Sequence, residues 1–186
     1  MGNYGRFVYL SSSEVFSGDF PEDITEETTP NADRYRGMAF MQGESICRIY
    51  RESRNLDIVT ARLDHLDMVP SRRREVEGFC AQMCLSSLEK QEIKANINHR
   101  FSIIYTTDAV EYIYKLMIAK TTKHDLYQIS SSEEISELEL AQLVQDFAKD
   151  TPEIIEVDEW NAREILSNKR YQEEFGLRIF FHADKI

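Results

Sequence analysis

The chain has 186 residues, 42% of them hydrophobic, so it can bury one sizeable core or two small ones. Its 22 basic and 33 acidic residues give a formal net charge of −11, which repels phosphate backbones and disfavours nucleic acid as a partner. No apolar run approaches the roughly 20 residues that span a bilayer, and no export leader is visible, so we expect a cytoplasmic protein with no membrane partner.

The first third of the chain predicts a β-α-β unit. Residues 6–10 and 57–63 are short apolar segments typical of strands, and residues 35–52 between them can form a helix. The stretch "GDFPEDITEETTPNAD", residues 18–33, is acidic and interrupted by proline. It predicts a long surface loop of the kind that often covers a site.

The rest of the chain continues the alternation of strands and helices. Helical spacing of apolar residues predicts helices around 76–88, over 106–117 with a Thr or Asp N-cap, and over 135–149. Strands are predicted over 100–105, 124–130 and 153–160, the last followed by a helix that begins near Trp160. The helix over 135–149 offers to the core Leu138, Leu140, Leu143, Val144 and Phe147. Such alternation favours a mainly parallel sheet, whose ligands bind at the carboxyl ends of its strands.

Polar residues follow the first predicted strand directly in "YLSSSEVFSG", residues 9–18. Ser11, Ser12, Ser13 and Glu14 lie just beyond the carboxyl end of a predicted central strand, where polar side chains can face a ligand. The alternative is a hydroxyl-rich turn whose side chains satisfy the exposed backbone groups at the strand end.

Several segments in order carry a resemblance to a known family. "RFVYLSSSEVFSG", "ITEETTP", "RY", "GES" and "LDIVTARL" resemble the second half of an extended short-chain dehydrogenase/reductase of the NAD-dependent epimerase/dehydratase family, which acts on nucleotide sugars. "FSIIYTTDAVEYIYKL", "YQISSSEEISELELAQLV" and "FHADKI" resemble later segments of the same family. The resemblance implies an α/β fold, with a partial Rossmann-like parallel sheet and a small α/β sugar-binding region. Residues 1–70 would hold the second half of the Rossmann-like domain, and residues 71–186 the interleaved substrate-binding region and last Rossmann elements.

The resemblance also implies site residues. Ser12 matches the hydroxyl that binds the reacting oxygen of the sugar, and Ser13 and Glu14 resemble the adjacent acid-bearing pair of the sugar decarboxylases and dehydratases. Tyr35 matches the catalytic base beside the cofactor, and hydride would pass from the sugar to NAD.

Two further residues are candidates for substrate binding by the same resemblance. His65 occupies the position of a family amide and could donate a hydrogen bond to the sugar; the alternative is a loop histidine with no ligand role. Arg100 lies one residue from the position of an arginine that contacts the diphosphate.

The chain departs from the family pattern at two places. Ala39 occupies the position of the lysine that lowers the pKa of the tyrosine. Lowering a free tyrosine pKa from about 10 to about 7 takes roughly 4 kcal/mol, for which Arg34 or Arg36 is the nearest cation in sequence. None of the seven glycines forms the G-x-G-x-x-G turn that holds a dinucleotide pyrophosphate.

Two functions therefore stay open. The chain is either one portion of a nucleotide-sugar epimerase, dehydratase or decarboxylase with little activity alone, or a non-catalytic relic that binds a nucleotide sugar or a partner protein. The expected partners are a nucleotide sugar and either a complementary dinucleotide-binding chain or a second copy. Cys80 and Cys84, with no histidine on the same helix face, do not indicate a metal site.

Overall fold

The computed structural model describes residues 5–67, 79–148, 152–159 and 161–176. Its strands are β1 (Phe7–Ser12), β2 (Ile58–Leu63), β3 (His65–Asp67), β4 (Ile93–Asn96), β5 (His99–Tyr105), β6 (Leu126–Ile129), β7 (Glu134–Ser136), β8 (Ile154–Val157) and β9 (Ala162–Glu164). Its α-helices are α1 (Tyr35–Arg54), α2 (Phe79–Leu88), α3 (Thr106–Ile118), α4 (Glu137–Phe147) and α5 (Lys169–Phe175). None of these helices is long and apolar enough to cross a membrane.

The central sheet is parallel, in the order β1-β2-β6. Side chains alternate across it because successive residues of a strand point to opposite faces. The face that includes Val8 and Val59 packs on α3 and α5, around Tyr112 and Tyr171. The opposite face packs on α1. This arrangement, with helices on both faces, confirms the prediction of a partial Rossmann-like parallel sheet.

A second group of strands extends from the end of β2. β3 pairs parallel with β5, which also pairs antiparallel with β7 and parallel with β9. β4 and β8 form a separate parallel pair. Apolar residues of β4, β5, β7 and β8 form a second core cluster with α2 and α4. The division of the chain at residue 70 stays a prediction. β6, which follows that residue, pairs with β2 in the central sheet.

The predicted helix near Trp160 is wrong. Trp160 itself lies outside the described residues, but Ala162–Glu164 forms β9 against β5, and the next helix begins only at Lys169. The intervening chain stays extended because its backbone bonds to distant segments: Ile24 donates to the carbonyl of Ile165 at 2.7 Å. Tertiary pairing therefore overrides the local pattern in this segment.

Two details of the predicted helices are also wrong. The N-cap of α3 is Tyr105, and no side chain caps it, because β5 runs into the helix without a turn and places Thr106 and Asp108 inside the first turn. Phe147 is exposed and not in the core, since it ends α4 one turn beyond Val144, the last buried residue of that helix.

Candidate functional site

The serine run forms a tight turn at the carboxyl end of β1. Ser13–Val15 is one turn of 3-10 helix, and the hydroxyl of Ser12 caps it by accepting a hydrogen bond from the N–H of Glu14 at 3.2 Å. Ser13 and Val15 are buried. The hydroxyl hydrogen of Ser12 is not used in that bond, so Ser12 both completes the turn and keeps a donor.

The start of α1 packs against this serine turn, Ser11–Glu14. Arg36 forms an ion pair with Glu14 at 2.6 Å. A Cβ added at Gly37 would overlap the carbonyl oxygen of Glu14, so only glycine permits this approach. Tyr35, the first residue of α1, is 94% exposed. The structure thus brings four candidate residues to one end of the sheet: Ser12, Ser13, Glu14 and Tyr35.

His65 is the first residue of β3, which follows β2 along the chain and pairs with β5. Ser12 is opposite Leu63 in the sheet, two residues before His65. The imidazole Nδ1 is 3.2 Å from Asp64 Oδ1 and the ring lies 5.3 Å from that of Phe101. Burial lowers the pKa of His65, but the hydrogen bond and negative charge of Asp64, aided by Glu164, outweigh burial and raise it above its usual value.

Arg100 belongs to a different sheet from the serine turn. It lies at the start of β5, and its guanidinium is paired with Glu134 and, at 3.7 Å, with Glu139. These two carboxylates would compete with any diphosphate for Arg100. The structure does not bring Arg100 to the serine turn, although its strand β5 pairs with β3, which holds His65.

A buried charge network contacts the serine turn through Ser11. The sequence analysis did not predict this network. Glu44 of α1 accepts a hydrogen bond from the Ser11 hydroxyl at 2.6 Å and pairs with Arg62 of β2 through two bonds of 2.7 and 2.8 Å. Arg62 also lies over the ring of Phe16, 5.1 Å from its centroid. Its Nη1 is buried without a hydrogen-bond partner in the described part of the chain. The sequence feature that could have indicated the network is Arg62, a charged residue inside the apolar segment "IVTARL".

A second buried network lies where β2 passes into β3. Asp64 accepts hydrogen bonds from the hydroxyls of Ser130, at 2.6 Å, and Ser102, and from the backbone N–H of His65 at 2.8 Å. Asp64 is almost fully buried. This carboxylate fixes the ring of His65 and joins three segments of the chain.

The described residues contain no glycine-rich turn of the kind that holds a dinucleotide pyrophosphate. A pyrophosphate site needs a glycine-rich turn between a strand and a helix N-terminus. Both strand-to-helix junctions that lead into α3 and α4 are direct and contain no glycine, and β1 leads into the serine turn. The same part of the chain contains no group of three His, Cys, Asp or Glu residues able to hold a metal ion.

Comparisons with known proteins identify the family of this chain. A sequence profile described as "NAD dependent epimerase/dehydratase family" matches residues 2–136. The uncharacterized protein y4nG of Sinorhizobium fredii is 40% identical over 57 residues, which are 31% of this chain and 14% of that protein.

Two solved structures share the fold. One is RMD from Pseudomonas aeruginosa complexed with NADPH, with a TM-score of 0.82, 18% identity, and coverage of 97% of this chain and 63% of that one. The other is dTDP-glucose 4,6-dehydratase from Bacillus anthracis in complex with NAD, with a TM-score of 0.78, 16% identity, and coverage of 95% and 57%. This chain therefore spans less than two thirds of either protein.

Proposed function

Because this chain belongs to the NAD dependent epimerase/dehydratase family, we propose that it is the substrate-side portion of a nucleotide-sugar-modifying enzyme and has little or no activity alone. The observation that carries the proposal is the packing of the serine turn on the start of α1. This packing gathers Ser12, Ser13, Glu14 and Tyr35 where ligands bind on a parallel sheet.

Each residue has a definite proposed role. Ser12 donates its free hydroxyl hydrogen to the reacting oxygen of the sugar, and Tyr35 exchanges the proton of that oxygen. Glu14, with Ser13 behind it, is the carboxyl group that exchanges a proton with the sugar during a later loss of water or carbon dioxide. His65, oriented by Asp64, donates to a sugar hydroxyl. Arg100 contacts the diphosphate only if it leaves Glu134.

Two departures from the family pattern, the glycine-rich turn and the lysine, explain the low activity that we propose. NAD, when bound, would accept hydride from the sugar, but the described residues offer no pyrophosphate turn and Ala39 replaces the lysine. Arg36, one of the two arginines next to Tyr35 in sequence, is already paired with Glu14. A complementary dinucleotide-binding portion is therefore required for turnover. A cytoplasmic location stays a prediction.

A non-catalytic role is the second candidate, favoured by the 94% exposure of Tyr35. A base open to water lacks the dry, preorganised surroundings that strengthen electrostatic catalysis. In this role the serine turn binds a nucleotide sugar without transforming it.

Ligand-dependent thermal unfolding of the purified chain tests the proposal. At 100 times the dissociation constant, dTDP-glucose or UDP-glucose should stabilise the fold by about 2.7 kcal/mol. For a chain of this size that corresponds to a rise in Tm of about 5–10 °C. NAD alone should give no rise.

Variants locate the binding. Ser12→Ala should reduce the rise in Tm, while Tyr50→Phe, an exposed tyrosine on the same helix as Tyr35, should leave it unchanged. Stabilisation by NAD alone would overturn the claim that the chain has no cofactor site of its own. An absence of any rise with both nucleotide sugars would refute the substrate-side assignment. Turnover by the pure chain would exclude the non-catalytic role.

A further inference from the structure

A cavity of about 320 Å³ lies between α1 and the central sheet. Its floor is formed by β2 and the start of β6, one wall by α1, and another wall by Thr29 and Pro30 of the long loop that precedes α1. We propose that this cavity binds the phosphate group of a small phosphorylated metabolite. None of the candidate site residues lines it, so the cavity is a second site, separate from the proposed substrate site.

The floor of the cavity combines apolar side chains with a hydroxyl. Ile58, Thr60 and Arg62 alternate along β2 with residues of the opposite face, and all three line the cavity. Leu126 of β6 is opposite Thr60 in the parallel pairing and continues the floor. A mainly apolar lining with a few polar groups is typical of small-molecule sites, whose volumes begin at about 300 Å³.

Arginines collect around this cavity in an otherwise acidic chain. Glu44, Arg48 and Arg51 are spaced by four and three residues, so they lie on one side of α1, and all three line the cavity. Arg62 and Asp125 are the other charged residues of the lining. Three cations and two carboxylates leave one positive charge in excess, whereas the whole chain carries a formal charge of −11. The cavity therefore attracts an anion that the rest of the chain repels.

Two of the arginines are held by carboxylates, and the third is available to a ligand. Arg62 bonds to Glu44 through Nε and Nη2, and Arg51 Nη2 lies 2.6 Å from Asp125. Arg48 is exposed and has no ion pair with any described residue. A guanidinium binds phosphate oxygens through two parallel hydrogen bonds, so Arg48 is the principal ligand of the phosphate in this proposal.

Arg62 adds a buried donor near Arg48. Its partner Glu44 lies one helical turn before Arg48. Arg62 Nη1 is buried and has no hydrogen-bond partner within the described ranges, although buried polar groups are usually paired. A phosphate oxygen at this end of the cavity would supply the acceptor. A buried water could also do so, in which case the chain would bind no phosphate.

A phosphorylated metabolite with hydroxyl groups suits this lining better than a bare anion does. The phosphate accepts hydrogen bonds from the arginines, and the carboxylate of Asp125 can accept from the hydroxyl groups of the remaining part. Thr29, Ser45 and Thr60 add hydroxyls around the same space. A sugar phosphate has both kinds of group, so glucose 6-phosphate is the probe of choice.

Isothermal titration calorimetry of the purified chain with glucose 6-phosphate tests the site. We expect saturable binding of one molecule per chain, displacement by inorganic phosphate, and no binding of glucose. The titration is made at low ionic strength in a buffer without phosphate, because salt screens the charge of an exposed arginine.

Variants locate the binding in the cavity. Arg48→Gln should raise the Kd by at least about tenfold, since it removes the unpaired cation. Arg54→Gln is the matched control: it removes an exposed arginine of the same helix outside the cavity and should leave the Kd unchanged. Thr60→Val, which replaces the hydroxyl at nearly constant volume, should also raise the Kd and keeps the test valid if Arg48→Gln fails to fold.

Four outcomes overturn the proposal: no binding of glucose 6-phosphate, equal binding of glucose, equal losses for Arg48→Gln and Arg54→Gln, or a Kd that Ser12→Ala raises and Arg48→Gln does not. The last outcome would place the ligand in the proposed substrate site. Stabilisation by nucleotide sugars is measured separately, so this second site and the proposed function can fail independently.

Discussion

The buried pair of Arg62 and Glu44 offers the sharpest test of how the serine turn is held. The two side chains are 4% and 14% exposed and meet through two hydrogen bonds, while Glu44 also accepts from Ser11. Arg62→Met removes the cation and leaves a buried carboxylate without its partner. Such uncompensated charges typically cost about 3–5 kcal/mol.

The expected loss is large enough to measure directly. With a urea dependence of about 2 kcal/mol per molar, a loss of 3–5 kcal/mol lowers the unfolding midpoint by about 1.5–2.5 M. The double variant Arg62→Met with Glu44→Leu should recover most of that loss, because replacing both partners by apolar groups is often nearly neutral. The double-mutant cycle therefore isolates the pair.

A surface pair provides the matched control. Arg36→Met breaks the ion pair with Glu14, in which the two side chains are 70% and 34% exposed, and should cost less than about 1 kcal/mol. A loss below about 1 kcal/mol, or additive single and double variants, would refute the view that the pair supports the turn.

Three further changes test other features of the fold. Gly37→Ala should destabilise it by about 1–3 kcal/mol in thermal unfolding, because the added Cβ overlaps the backbone of the serine turn. Gly5→Ala, whose Cβ would meet nothing within 4 Å, is its control. Ser136→Ala removes the capping box of α4 and should cost about 1 kcal/mol in urea unfolding. Because Asp64 raises the pKa of His65 in the folded state, the free energy of unfolding should fall as pH rises from about 6.5 through that folded pKa, and His65→Gln should flatten this part of the profile.

Each of these expectations can fail in a recognisable way. Equal stability of the two alanine variants at Gly37 and Gly5 would contradict the close approach of α1 to the turn. An unchanged urea midpoint for Ser136→Ala would show that the capping box does not stabilise α4. A pH profile that His65→Gln leaves unaltered would assign the titration to other groups.

The first part of the fold follows from local patterns. α1 begins at Tyr35 as predicted, and β2 ends at Leu63 as predicted, because apolar periodicity and bounding polar residues are properties of adjacent residues. The segment after Trp160 could not be predicted in this way. Ile165 and Leu166 are buried by contacts with residues far away in the chain, and two adjacent apolar residues carry no helical period.

The candidate site shows the same limit. Ser12 and Tyr35 were identified as candidates from the family resemblance, which depends on the order of segments along the chain. The pairing of Glu44 with Arg62 joins residues on different elements, and Asp64 bonds to Ser102 and Ser130 across larger separations. Sequence can mark a charge inside an apolar strand as unusual. Only the fold shows which group neutralises it.

The alternating side chains of β5 give this strand an unusual position in the molecule. Phe101 and Ile103 belong to the apolar cluster of α2 and α4, whereas Ile104, on the other face, belongs to the cluster of the central sheet. The two apolar clusters therefore share β5. Unfolding of one cluster would remove buried contacts from the other. We expect calorimetry to show one cooperative heat-absorption peak, and excision of either part to yield an unstable fragment.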